Sequence, residues 1–187
     1  MDGTVRPHGS LLVAAMGKGP GLAKKRQIMA APATRLGLGT AQFGLDYGLF
    51  NSHGQVPQEI AAEILSTVGN SGIRILDTAS YYGDSEQVLG RIVLPDAAFK
   101  IVTKTAVVKG AAVDDSDIET FTQTFDKSLK HLNRQSVYGL LVHHGGDLLK
   151  PDGGRLVDFL QRQKRHGRVE KIGVSVYSGN EIDGVLD

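Results

Sequence analysis

Residues 36–44 read LGLGTAQFG. A short apolar run breaks into glycines and Thr40, which is how a strand opens into a loop. In a doubly wound dinucleotide-binding sheet, this first turn carries Gly-x-Gly-x-x-Gly. The pattern is absent here, and its absence decides between two α/β architectures. It favours a parallel barrel over a Rossmann-type sheet.

Outward from that turn, strand and helix patterns alternate. Arg35–Thr40 reads as the first strand. Pro57–Val68 opens with proline and places Ile60, Ala61, Ile64, Leu65 and Val68 at helical spacing. Ile73–Leu76 is β-rich and ends at Asp77. Ser85–Val93 is a short helix that Ser85 can cap, with Val88, Leu89 and Ile92 on one face. Phe99–Thr105 is a strand and Asp117–Leu132 a longer amphipathic helix. Val137–Val142 reads as a buried strand. Gly154–His166 is a helix with Leu156, Phe159 and Leu160 inward and Arg162, Lys164 and Arg165 outward. Val169–Val176 is a fifth strand. Strands alternating with helices imply a parallel sheet with right-handed crossovers, a TIM-barrel type of α/β fold.

Composition bounds the function. The chain has 187 residues, no Cys and a net charge of +1. That excludes disulfide scaffolds, Cys-ligated metals and a thiol nucleophile. The charge is too small for a nucleic-acid field over the whole chain, so no nucleic-acid partner is expected. No apolar run is long enough to span a bilayer, so no membrane partner is expected either. Residues 1–35 carry six basic side chains against Asp2 alone, several glycines and prolines, and no period beyond Leu11–Met16. Residues 1–34 are expected to form a disordered basic extension. A secretory signal, an organelle transit peptide, or a leader ahead of a true start at Met29 are further readings of this head.

Polar residues recur at the strand ends: Thr40 and Gln42, Asp77, Lys104, His143 and His144, and Ser175. Parallel barrels place their chemistry there. Asp and Lys in a barrel mouth are costly to bury alone, which favours pairing Asp77 with Lys104. A tyrosine beside that lysine, such as Tyr82, would release its proton more readily and act as a general acid. Each residue also has a plain structural reading. Asp77 can cap a strand end, Tyr82 can pack before the Gly83 turn, and Lys104 can lie on the surface. His143 and His144 can be a loop pair or half of a metal site. No further ligands at readable spacing accompany them, so no metal is expected. Ser175 alone says little.

The joint pattern resembles the aldo-keto reductase family over residues 35–187. The segments that carry the resemblance are RLGLGTAQFG at 35–44, GIRILDTASYYGDSEQVLGR at 72–91, KIVTKT at 100–105, GLLVHH at 139–144 and GRVEKIGVSVYS at 167–178. The second is the most specific, with Asp-x-Ala-x-x-Tyr-Gly followed by a Ser-Glu helix start. The QFG–LDYG opening and the IGVSVYS segment look like bacterial members. The resemblance implies an NADPH-dependent oxidoreductase, NADH being the other option, that reduces aldehyde, ketone or sugar carbonyls. It implies Tyr82 as proton donor, Lys104 as the lysine that lowers the tyrosine's pKa, Asp77 as that lysine's partner, and His143 as the residue orienting the carbonyl. It places Gly39 and Thr40 beside the nicotinamide ribose and Ser175 at the carboxamide, and counts Asp77 among the cofactor-binding residues. The implied localisation is cytoplasmic.

Two departures stand out. The family often has Ser-Asn after the fifth strand, where this chain has Ser175-Val176. A full barrel needs about 250 residues, whereas the resemblance runs only into the fifth helix. The expectation is a barrel truncated after about the fifth strand, impaired as an enzyme. Open sheet edges would then favour self-association. The alternative function is a non-catalytic binding or interaction protein on the same scaffold.

Overall fold

The computed structural model describes residues 36–94 and 97–186. The first strand, β1, spans Gly37–Gly39, and β2 spans Ile75–Asp77. Strand β3 is Lys100–Lys104, β4 is Val137–Val142 and β5 is Val169–Val174. The helices are α1 Gln58–Asn70, α2 Ser85–Ile92, α3 Asp115–His131, α4 Gly154–Arg165 and α5 Gly179–Leu186. All strands pair in parallel, in the sequential order β1-β2-β3-β4-β5. Sequential order is what successive βα units of a barrel lay down; a doubly wound sheet reverses at a switch point.

One face of the sheet carries the core. Leu76, Ile101, Leu140 and Val142 are buried against Phe121, Phe125 and Leu129 of α3 and Leu156, Phe159 and Leu160 of α4. The rings of Phe121 and Phe159 meet at 5.9 Å between centroids and fasten these two helices together. Helix α2 lies close against the end of α3, because Gly90 has no side chain: a Cβ there would stand 2.0 Å from the His131 carbonyl oxygen.

The sequence pattern and the structure differ at several boundaries. Strand β1 is shorter than Arg35–Thr40. Thr40 already turns its buried side chain to Asp77 O and to Ser85, and residues 41–43 form a 3-10 turn. Arg35 and the head before it lie outside the described residues, and with them the expected basic extension. Helix α3 begins two residues early, because Asp114 and Asp117 form a reciprocal capping box. Ser85 does not cap α2; Asp84 stands at that position, and the Ser85 hydroxyl is buried among Thr40 and Thr78. Ile60, read as part of the inner face of α1, is exposed, whereas Ala61 and Leu65 are buried. A second 3-10 turn, Gly145–Leu149, follows β4.

Candidate active site

The strand ends meet at one side of the sheet. Lys104, the last residue of β3, is 5% exposed. A buried ammonium needs acceptors, and three converge on it. Its Nζ donates to Asp77 Oδ1 at 2.7 Å, to the Thr78 carbonyl at 2.9 Å, and to the Tyr82 hydroxyl at a longer 3.4 Å. The ammonium also lies 4.9 Å from the centre of the Tyr82 ring. Asp77 ends β2, and its side chain remains 39% exposed. It therefore faces the lysine and the open mouth together.

Tyr82 stands in the loop between β2 and α2, and two glycines seat that loop. Gly83 adopts φ +52, and a Cβ there would meet the Gly44 carbonyl oxygen at 2.1 Å. A Cβ on Gly44 would lie 1.9 Å from the Tyr82 carbonyl oxygen. The two backbones thus touch where no side chain fits. Burial, then the Asp77 carboxylate, then Tyr47, push the Tyr82 hydroxyl up to about 12. This direction is opposite to the one expected from Lys104 alone. The lysine sits closer to the Asp77 carboxylate than to the phenol, so most of its charge is matched there. At neutral pH Tyr82 holds its proton.

His143 follows β4 and is 8% exposed. Its ring meets Tyr81, His144 and Tyr82 edge-on at 5.5, 5.7 and 6.3 Å between centroids. Burial, then the Lys104 cation, hold it down at about 4, so the imidazole is neutral near pH 7. Its Nδ1 is buried with no hydrogen-bond partner among the described residues. His144 beside it is exposed. Among the described residues, no group of three or more His, Cys, Asp or Glu is placed to hold a metal ion.

The remaining sequence candidates lie around this cluster. Gly39 ends β1, and the space where its side chain would stand is open. Thr40 is fully buried, and its hydroxyl is taken up by Asp77 O and Ser85. Ser175 follows β5, half-buried, with its amide on Val142 O at 2.9 Å. Four residues of this region lie outside the site candidates read from the sequence. Tyr81 flanks His143, and its hydroxyl accepts from the Val107 amide. Asp147 is 3% exposed, takes the Val108 amide at 3.0 Å and pairs with Lys150, so it ties the loop after β3 to the turn after His143. Ser85 and Glu86 are buried at the start of α2. An acid among the inward positions of a short amphipathic helix is the signal that marks Glu86.

Residues 35–186 match the sequence profile described as the aldo/keto reductase family. The chain belongs to the aldo/keto reductase family. No curated protein sequence matches it closely enough to count as a relative. A solved Pseudomonas aeruginosa chain assigned as an aldo-keto reductase is 28% identical, with a TM-score of 0.62, 74% of this chain and 54% of that one being covered. The glycerol dehydrogenase AKR11B4 of Gluconobacter oxydans superposes with a TM-score of 0.58 at 22% identity, covering 84% and 49%. An aldo-keto reductase of Klebsiella pneumoniae, solved in complex with NADPH, gives 0.58 at 20% identity, covering 80% and 48%. At those lower identities the likeness shows the fold, an α/β barrel type. This aldo/keto reductase chain spans about half the length of these solved relatives.

Proposed function

We propose that this aldo/keto reductase chain carries the acid–base centre of an oxidoreductase acting on aldehyde, ketone or sugar carbonyls. The observation that supports it best is the single ammonium of Lys104, bound at once to the Asp77 carboxylate and the Tyr82 hydroxyl. The surroundings of the mouth fit the nicotinamide end of NADPH: open space at Gly39, a half-exposed carboxylate at Asp77 able to accept from ribose hydroxyls, and a half-buried Ser175. When bound, the cofactor supplies the hydride; NADH is the second candidate.

The protein's own part is the proton. Tyr82 keeps its proton at neutral pH and gives it to the carbonyl oxygen as negative charge develops there. Lys104 then faces the phenolate and offsets its charge, while Asp77 holds the lysine in place. Neutral His143 can donate a hydrogen bond to the same oxygen without bringing a second cation to the site. We further propose a cytoplasmic setting, as expected for a chain that reduces carbonyls with a soluble dinucleotide. Among the described residues, no helix is long and apolar enough to cross a membrane.

The test uses the full chain with NADPH and a panel of one aromatic aldehyde, one ketone and one aldose. The expected result is carbonyl-dependent NADPH oxidation that Tyr82→Phe reduces by about 10²–10⁴-fold, with cofactor binding retained. Turnover that Tyr82→Phe leaves near wild type would remove Tyr82 from the chemistry. Fluorescence-detected NADPH binding with no turnover would instead favour a binding protein on this scaffold.

A further inference from the structure

Glu86 is a buried titratable group that the reaction above leaves without a task. It sits in the first turn of α2, four residues after Tyr82, at 2% exposure. Taking a carboxylate out of water is costly, and an apolar side chain would fill the same space without that cost. What Glu86 does instead is accept a 2.6 Å hydrogen bond from Thr103 Oγ1. His131 of α3 stands behind it, 3.9 Å from the second oxygen.

Thr103 is the residue before Lys104. Successive residues of a strand point to opposite faces. Thr103 therefore reaches back to α2 while Lys104 reaches into the mouth. Ser85, beside Glu86, binds the residues just after β1 and β2. Its Oγ donates to Thr40 O at 2.8 Å and lies 3.1 Å from Thr78 Oγ1. Its amide donates to the carbonyl of Tyr82 itself at 3.0 Å. The Thr78 carbonyl in turn receives Lys104 Nζ.

These bonds close a ring that runs from Ser85 to Thr78, on to Lys104, along the backbone to Thr103, across to Glu86, and back along α2 to Ser85. Tyr82 hangs from the ring at Ser85, and Lys104 is part of it. Apolar packing between a helix and a sheet is non-directional and tolerates sliding. A short charge-assisted hydrogen bond is directional. Strand β3 cannot slide along α2 without breaking the Thr103–Glu86 bond, and any such slide changes the 3.4 Å separation of Lys104 Nζ and Tyr82 OH.

We propose that Glu86 and Thr103 are positioning residues that set the Lys104–Tyr82 distance by locking strand β3 to the helix start behind Tyr82. The catalytic consequence rests on the function proposed above; the positioning itself does not.

The experiment is NMR on the full chain with its tyrosine Cζ atoms isotope-labelled, since that carbon reports hydrogen bonding at the phenol. The chain has five tyrosines, and Tyr82→Phe assigns the signal of interest. Thr103→Val removes the donor at nearly constant shape. The expected result is a Tyr82 signal displaced beyond its linewidth, with the Tyr138 and Tyr177 signals unmoved. Thr103→Ser, which keeps the hydroxyl, and Glu86→Gln, which keeps an acceptor oxygen, are each expected to leave the Tyr82 signal in place. If Thr103→Val does not fold, the double variant Thr103→Val/Glu86→Met makes the same comparison, because replacing both partners with apolar groups avoids a buried unpaired carboxylate.

A Tyr82 signal unmoved in a folded variant lacking the bond overturns the proposal. In the carbonyl-reduction assay, the folded variant lacking the bond is expected to lose up to about 10²-fold in kcat with KM little changed; full activity in that variant also overturns it. If the unaltered chain reduces no carbonyl, the function proposed above fails, and the Tyr82 signal still decides the positioning.

Discussion

Asp77 and Lys104 form an ion pair of unequal exposure: the lysine is buried and the carboxylate is not. Burial first, and then that exposed carboxylate, set the state of Tyr82. The carboxylate is close enough to oppose a phenolate, and it takes the nearest place at the lysine. Asp77→Asn keeps the shape and an acceptor oxygen but removes the negative charge. The Tyr82 hydroxyl should then titrate below about 12, since burial alone would still raise it but the carboxylate would no longer do so. Alkaline titration of tyrosinate absorbance, with the Tyr82→Phe curve subtracted, measures this. A titration that stays put or moves up would show that Asp77 is not a cause. His143 gives the second prediction at this scale. Its folded-state value of about 4 lies below the 6.5 of a free histidine. Between those values the unfolded chain binds a proton that the folded chain does not, so stability falls as pH drops from 6.5 towards 4. Glu86 acts with the opposite sign, since burial raises it: its contribution is fully present below 4.5 and is lost as pH rises through its folded value. His143→Gln should therefore flatten the acid side of the urea-unfolding profile. An unchanged slope would show that His143 is not held neutral by the fold.

At the scale of elements, the loop carrying Tyr82 depends on backbone contact more than on side chains. Gly83→Ala adds strain at φ +52 and a clash with the Gly44 carbonyl. Gly54, at φ +74, has open space where its Cβ would go. Gly54→Ala therefore measures strain alone, about 1 kcal/mol, and Gly83→Ala should cost clearly more. In a chain of this size each kcal/mol lowers Tm by about 2–4 °C. Equal Tm losses in calorimetry would mean that the Gly44–Gly83 approach relaxes at no cost. The same contrast explains what the sequence could disclose. Helix α4 was legible because Leu156, Phe159 and Leu160 repeat at helical spacing, and all three are buried. Strands announced themselves as short β-rich runs, but their ends did not. Where β1 stops depends on Thr40 reaching Ser85, which is 45 residues away in sequence. The 3-10 turns carry no period at all. In the candidate site, the polar residues at strand ends stood out by position. The sharing of Lys104 among three acceptors, and the bond from Thr103 to Glu86, arise only from packing α2 on the sheet.

At the scale of the whole molecule, the described sheet is open. Strands β1 and β5 each pair on one side only among the described residues. Their free flanks present backbone N–H and C=O groups that another strand can bind. Apolar surface accompanies them: Leu36 is 63% exposed beside β1, and Ile172 and Val174 of β5 are only half-buried. At about 25 cal/mol per Å² of apolar surface, covering a few hundred Å² is worth several kcal/mol, comparable with a domain's net stability of roughly 5–15 kcal/mol. Glu170 and Lys171, exposed on β5, oppose pairing at that strand's start but leave its second half unguarded. We propose that the 187-residue polypeptide, taken on its own, associates through β5 in a concentration-dependent way, with the apolar half of the strand as the contact. Sedimentation velocity across a hundredfold range of concentration reads this directly. Val174→Lys extends the charged guard along the strand and should shift the population towards monomer. A chain that sediments as a monomer throughout, before any substitution, would show that the sheet edges are already satisfied within one molecule.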